Sequence, residues 1–375
     1  MHTDFIHKAT FKSKLYCKKL ITINQVNKES LEKIKELCEP VLQEPSFTRL
    51  NEITFLGVLS PKFDNLMPDC EYKPVWNYRK LYNDGTRKDH SLGVASIILD
   101  QVEYFNFNEK NKKLAVCWAL LHDIATWPLS HTSEPAFSSI TKTSSRKLRE
   151  MIILGSKQLP ESFNITKSLK KSGIDPSVLI ELFNKEHYPG DKDLKKLWCL
   201  IHSPVSPDTI EGMWRTGYVY HIKFPRAVEY QHKIHLNLFE PYIDKTDSSL
   251  FISFWKSKSK VYSEHINSNS MLLWESAWSN SIKKYYSNVA LIDSLNIKET
   301  DIINTVVKNG IDFGSRLNKY KEPQQYFVKN NKRKLDTINL SLLGEYLSKR
   351  DIHAELRPLQ RTSKIKHLRS LTESK

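Results

Sequence analysis

The chain runs to 375 residues, with 57 Lys and Arg against 42 Asp and Glu, a formal net charge of +15 and 39% hydrophobic residues. That length can bury a large core and points to one helical domain with appended helices, not to two independent units. No apolar stretch approaches a membrane span, Met1-His-Thr-Asp-Phe-Ile-His-Lys8 has no signal-peptide core, and Cys17, Cys38, Cys70, Cys117 and Cys199 form no C-x-x-C pair, so a cytoplasmic protein with reduced core thiols is expected.

In chain order, β-branched Lys19-Leu-Ile-Thr-Ile-Asn24 suggests a small edge strand. Residues 30–42 predict a helix with Ser30 as N-cap and Glu32 in the first turn. Its apolar face is Leu31, Ile34, Leu37, Cys38 and Val41, and Pro40 should bend or end it. Residues 59–86, with Pro61, Pro68, Pro74 and Gly85, make a long irregular connection that could act as a lid. His90 opens a helical pattern through Leu92, Val94, Ile97, Ile98 and Val102, and the apolar run Leu114 to Leu121 reads as a buried helix that ends on His122 and Asp123.

Beyond it, residues 160–190 suggest a helical insert with Pro176 starting one helix. Asp208 follows the Pro-rich turn Ser203-Pro-Val-Ser-Pro207, where a plain N-cap competes with a functional role. Met271 to Trp278 and Leu291 to Leu295 read as core faces. The basic runs Lys167–Lys171, Lys256–Lys260, Lys329–Lys334 and Arg357–Lys375 are taken as solvated surface, with a polyanion-binding face as the alternative. The division expected is a helical domain over 1–300 and a basic extension over 301–375.

Four of these residues carry chemistry together. His90, His122, Asp123 and Asp208 offer two imidazoles and two carboxylates, a mixed nitrogen and oxygen set that suits a divalent Mn, Fe, Zn, Ni, Co or Mg ion. Their surroundings are Thr86-Arg-Lys-Asp-His90-Ser-Leu-Gly-Val94, His122-Asp-Ile-Ala-Thr-Trp-Pro-Leu-Ser-His131 and Asp208-Thr-Ile-Glu-Gly-Met-Trp-Arg215. Upstream lies Arg49-Leu-Asn-Glu-Ile-Thr-Phe-Leu-Gly57, and downstream Lys260-Val-Tyr-Ser-Glu-His265. In this order the segments resemble the HD phosphohydrolase superfamily, and within it the branch of deoxynucleotide triphosphohydrolases. The likeness spans residues 10 to 290 and is concentrated in the first three segments.

The resemblance implies a mostly α-helical HD bundle, in which His90, His122, Asp123 and Asp208 bind one divalent metal. It implies a phosphate contact at Arg87, a catalytic His131 with Glu134 as its acidic neighbour, and substrate contacts from Arg49, Phe55, Arg215 and Tyr262. A phosphorylated small molecule is the implied substrate, with no membrane partner and with assembly into homo-oligomers. Departures from the branch narrow this. Thr126 replaces a second histidine, and Phe55, Gly212 and Thr216 replace polar groups that read the sugar. A site without those groups loses its selectivity for a deoxyribose, so the expected substrate is a phosphate ester or anhydride of a nucleotide or related molecule other than an ordinary dNTP. Two other readings stay open: a regulatory or nucleic-acid-binding protein that keeps the metal cage, and a two-iron oxidative enzyme drawing on His131 and Glu134.

Overall fold

A computed structural model describes residues 26–60, 63, 84–184, 189–202, 206–220, 222–224, 253–254, 257–258, 260–266 and 269–311. Among the described residues every regular element is helical, and strand-like pairing is limited to one antiparallel bridge between Thr54 and Thr86. The expected strand over 19–24, most of the connection over 59–86, and the basic runs at 329–334 and 357–375 lie outside the described residues. No described helix is long and apolar enough to cross a membrane.

Helix α1 (Lys28–Leu42) is capped by Asn27 and not by Ser30. The Asn27 side chain accepts from the Ser30 amide at 2.6 Å, and Glu29 is the first-turn anion. Asn caps as well as Ser does, so the signal sat three residues upstream. Ile34, Cys38 and Val41 are buried. Pro40 neither ends the helix nor sits at the break: the backbone leaves helical geometry at Cys38 (φ −141°, ψ 26°) and resumes to Leu42. A proline lacks the amide that would bond one turn back, and the distortion falls in that preceding turn.

The centre of the molecule is α2 (Arg87–Tyr104) packed along α3 (Glu109–Leu121), with α1 laid against both. A reciprocal cap starts α2: Thr86 accepts from the Asp89 amide at 3.2 Å, and Asp89 accepts from the Thr86 amide at 2.9 Å. In α3 every residue from Leu114 to Leu121 is buried, as a helix apolar all round requires. Then follow α4 (Ser130–Thr141), α5 (Ser145–Leu154), α6 (Thr166–Lys171), α7 (Pro176–Phe183) and α8 (Lys192–Ile201). Pro176 opens α7 behind an Asp175 cap. Helix α9 (Pro207–Tyr220) returns to α2, while α10 (Asn269–Tyr285) packs on α4 and is followed by α11 (Leu291–Asn296) and α12 (Glu299–Asn309). Helix α12 spans position 300 and buries Ile302 and Val306.

Between α3 and α4 the chain makes a tight turn with Leu129 (φ 63°) and Ser130 (φ 51°) in the left-handed region. Non-glycine residues hold such angles only when their surroundings over-determine them. Here one Glu299 oxygen accepts from the Leu129 amide at 2.6 Å, the Thr54 amide at 3.0 Å and the Thr54 hydroxyl at 3.1 Å. Ser130 adds a hydrogen bond to the Thr54 carbonyl, and Trp127 donates to the Ser294 hydroxyl at 3.1 Å. Gly57, itself at φ 58°, lies against the Leu129 carbonyl so closely that a Cβ would collide with it. Replacing Glu299 by alanine leaves two buried amides without that acceptor. Glu299→Ala is expected to cost about 2–4 kcal/mol of stability, read as a lower denaturant midpoint at unchanged slope.

Candidate metal centre

Each of the four expected ligands is delivered by a different local device. His90 stands one turn into α2, buried. His122 is the C-cap residue of α3, and Asp123 follows it into the turn. Asp208 lies in the first turn of α9, but it does not cap that helix. The Ser206 hydroxyl accepts from the Thr209 amide at 3.1 Å instead, which leaves the Asp208 carboxylate facing His90.

The polar atoms converge. His90 Nε2 and His122 Nε2 are 3.1 Å apart, and Asp208 Oδ1 lies 3.1 Å from the first and 3.7 Å from the second. Asp123 Oδ2 stands 3.9 Å from His90 Nε2 and 3.6 Å from His122 Nε2. The His90, His122 and Asp208 ligand atoms all fall within 4.8 Å of one another. The partners on the far side of each ring fix the tautomers. His122 Nδ1 faces the Ala119 carbonyl at 2.7 Å, and His90 Nδ1 makes a short hydrogen bond to Glu211. With Nδ1–H committed in both rings, both Nε2 lone pairs point inward at each other and at two carboxylates.

His90, His122 and Asp208 form the cluster whose donor set fits a divalent ion, while Asp123 stands beside it with its Oδ2 paired to Arg87 at 2.7 Å. The electrostatics agree. Burial works against charge on His90, yet Glu211, Asp208 and Asp123 outweigh it and raise His90 to about 9, so positive charge is favoured here and a proton on Nε2 competes with a metal ion for the same lone pair. Burial likewise opposes ionisation of Asp123 and Asp208, but Arg87 and the histidines hold Asp123, and His90 and His122 hold Asp208, well below the usual carboxylate range.

Arg87 and Arg215, expected to touch substrate, are committed beneath the centre. Arg87 is buried and donates from Nη1 to Asp123 at 2.7 Å, from Nε to the Ser130 hydroxyl at 2.9 Å and from Nη2 to the Phe55 carbonyl at 2.7 Å. Arg215 straddles the Glu211 carboxylate, with Nε at 3.1 and 3.2 Å, and reaches the Asp84 carbonyl at 3.0 Å. Its job is to hold the carboxylate that holds His90. Gly93, one turn beyond His90, is what lets α9 come this near, because a Cβ there would lie 2.6 Å from Glu211 Oε1. Arg49 is also diverted: its Nη2 donates to the Ile124 and Thr126 carbonyls at 3.1 and 2.9 Å, so it braces the turn after Asp123.

Phe55 does sit at the centre, its ring 4.7 Å from that of His90 and 4.8 Å from the Arg87 guanidinium. Thr216 spends its hydroxyl on the Gly212 carbonyl at 2.6 Å. His131 is 52% exposed at the start of α4, with Nδ1 3.2 Å from Glu134. Burial would raise Glu134, but His131 and the Ser145 hydroxyl outweigh it and keep the carboxyl low. Tyr262 is half-buried in the π-helical turn Val261–Ile266, its ring 6.0 Å from Lys258 Nζ.

Three residues escaped the sequence reading. Glu211 could have been found, since it pairs with Arg215 at i, i+4. Arg149 had no such signal: 27 positions from His122, it donates to the His122 carbonyl at 2.9 Å, and its guanidinium lies 4.3 Å over the Phe183 ring. Burial pulls it down and Asp123 opposes that. Lys258 belongs to a run read as solvated surface, yet burial lowers its ammonium to about 8 against the pull of Asp208. Lys258 therefore lies within electrostatic reach of Asp208.

Comparisons place this geometry in a family context. The HD domain family model matches residues 87–212, which include all four candidate ligands. No curated protein matches the sequence. Among solved structures, a hypothetical protein from Aquifex aeolicus superposes with TM-score 0.53 at 19% identity, over 72% of this chain and 68% of that one. A phosphohydrolase from Bacteroides thetaiotaomicron gives TM-score 0.47 at 16% identity, over 65% of this chain and 53% of that one, so the match spans about half the length of that protein. At such identities the Aquifex likeness is one of fold. If Glu211 orients His90 as described, Glu211→Gln should weaken metal affinity about 10–100-fold, measured by competition with a chromogenic chelator, while the helical circular dichroism is kept.

Proposed function

We propose that the HD domain at residues 87–212 is the core of a metal-dependent phosphohydrolase acting on a phosphate ester or anhydride of a nucleotide or related small molecule, other than an ordinary dNTP. The observation that carries the reading is the inward convergence of His90, His122, Asp123 and Asp208, with both ring tautomers fixed from behind. A divalent ion held there supplies Lewis acidity to a phosphoryl oxygen and to an attacking water.

The chain's own residues do the rest. Arg87 keeps Asp123 ionised and aimed, and Arg215 does the same for Glu211 and, through it, His90. Arg149, near Asp123 and with guanidinium N–H groups beyond the one on the His122 carbonyl, takes over the phosphate contact first expected of Arg87. His131 gives its proton to the departing oxygen, with Glu134 holding the imidazolium form. Selectivity against a deoxyribose follows from Phe55, an apolar ring over His90, and from Thr216, whose hydroxyl is already spent.

The direct test is a screen of phosphorylated metabolites with Mn, Fe, Zn, Ni, Co and Mg, reading phosphate release. Turnover of at least one of them, with dGTP hydrolysed far more slowly, is expected; rapid triphosphate release from dGTP would show the sugar argument to be wrong. On the best substrate, His131→Ala should lower kcat about a hundredfold or more at unchanged metal content. Arg149→Ala should act chiefly on KM. Metal loss in His131→Ala would make that residue a ligand and not a proton donor.

A further inference from the structure

Cys38 on α1 and Cys117 on α3 are both fully buried, 79 positions apart in the chain, with their Sγ atoms 2.8 Å apart. Non-bonded carbon atoms settle at roughly 3.5–4.0 Å, and sulfur is larger, so the two thiols stand well inside ordinary contact. The approach is built into the backbone on both sides. Helix α1 departs from helical geometry at Cys38 itself. Cys117 lies in the stretch of α3 that is buried all round, between Val116 and Trp118. The other contact of Cys38 Sγ, to the Lys113 carbonyl, is long at 3.9 Å.

We propose that Cys38 and Cys117 are a disulfide-forming pair, a redox modification site that staples α1 to the helix ending on His122. With hydrogen peroxide as oxidant, one thiol sulfur attacks a peroxide oxygen. The O–O bond breaks, a sulfenic acid forms and the first water leaves. The second sulfur then attacks the sulfenic sulfur, the S–S bond forms as the S–O bond breaks, and the departing hydroxide takes the second thiol's proton as another water. Two electrons pass from the two sulfurs to one peroxide.

Burial sets the kinetics. It pushes the Cys117 thiol up, and neither sulfur meets solvent, so oxidation proceeds when α1 lifts away or before the two helices close. Once made, the bond is shielded from external thiols by the same packing. Sequence spacing hid the pair, because the absence of C-x-x-C says nothing about cysteines brought together across 79 positions.

The inference is independent of the phosphohydrolase reading. Its test treats the full chain with hydrogen peroxide, both folded and during refolding from denaturant, then alkylates, digests and weighs the peptides. One cross-linked pair joining the Cys38 and Cys117 peptides is expected, lighter by two hydrogens, reversed by dithiothreitol, and accompanied by a Tm rise of about 5 °C. Cys38→Ala and Cys117→Ala should each abolish it, and either variant suffices if the other does not fold. Alkylation of both thiols in both treated samples, or cross-links spread over Cys17, Cys70 and Cys199, would overturn the proposal.

Discussion

Two buried arginine–carboxylate pairs, Arg87–Asp123 and Arg215–Glu211, are the constraint on which the centre depends. Removing such charges from water is costly unless each is paired and its remaining polar atoms are bonded. Both arginines meet that condition with backbone carbonyls, Arg87 through Phe55 and Arg215 through Asp84. Each carboxylate then has capacity left for an imidazole or an ion. The pairs are therefore scaffolding for the centre more than a source of net stability, and removing one partner would strand the other charge in the interior.

The same economy operates in the turn that carries Asp123 into α4. Left-handed angles at Leu129 and Ser130 are unfavourable for residues with side chains. They persist because Glu299 from α12, Thr54 from the opening segment and Arg49 beside it all bond to this short stretch or its carbonyls. Those contacts join positions 245 and 170 residues apart. The turn that carries Asp123 is consequently a product of distant parts of the chain, tied down by Glu299 at the start of α12.

Much of this was legible in the sequence, and the reason is locality. The periodicity in α2 and the unbroken apolar run of α3 are properties of short windows, and so is each of the three motifs whose order linked His90, His122, Asp123 and Asp208 by resemblance. What stayed hidden was pairing at long range. The motifs mark Arg49, Arg87 and Arg215 as substrate contacts, but whether a guanidinium faces substrate or backbone carbonyls depends on what folds over it. Asn27 displaced Ser30 as a cap because both residues are competent, and Ser206 relieved Asp208 of capping for the same reason. Lys258 looked like one lysine in a solvated run, since no local pattern reports that burial and Asp208 meet at its ammonium.

At Thr126 the backbone and not the side chain serves this geometry. Thr126 donates its amide to the Asp123 carbonyl at 2.9 Å and presents its own carbonyl to Arg49, so its backbone serves the turn whatever side chain it carries. A histidine there could supply a proton near the reacting group; a threonine cannot do so at neutral pH. His131 rests beside Glu134, and Arg149 is held by the Phe183 ring and the His122 carbonyl. His131 stands on α4 and Arg149 on α5. In the proposed phosphohydrolase the ligands lie against the two buried arginine–carboxylate pairs while His131 and Arg149 lie outside them on α4 and α5, so the leaving group would be freer to vary than the phosphoryl group.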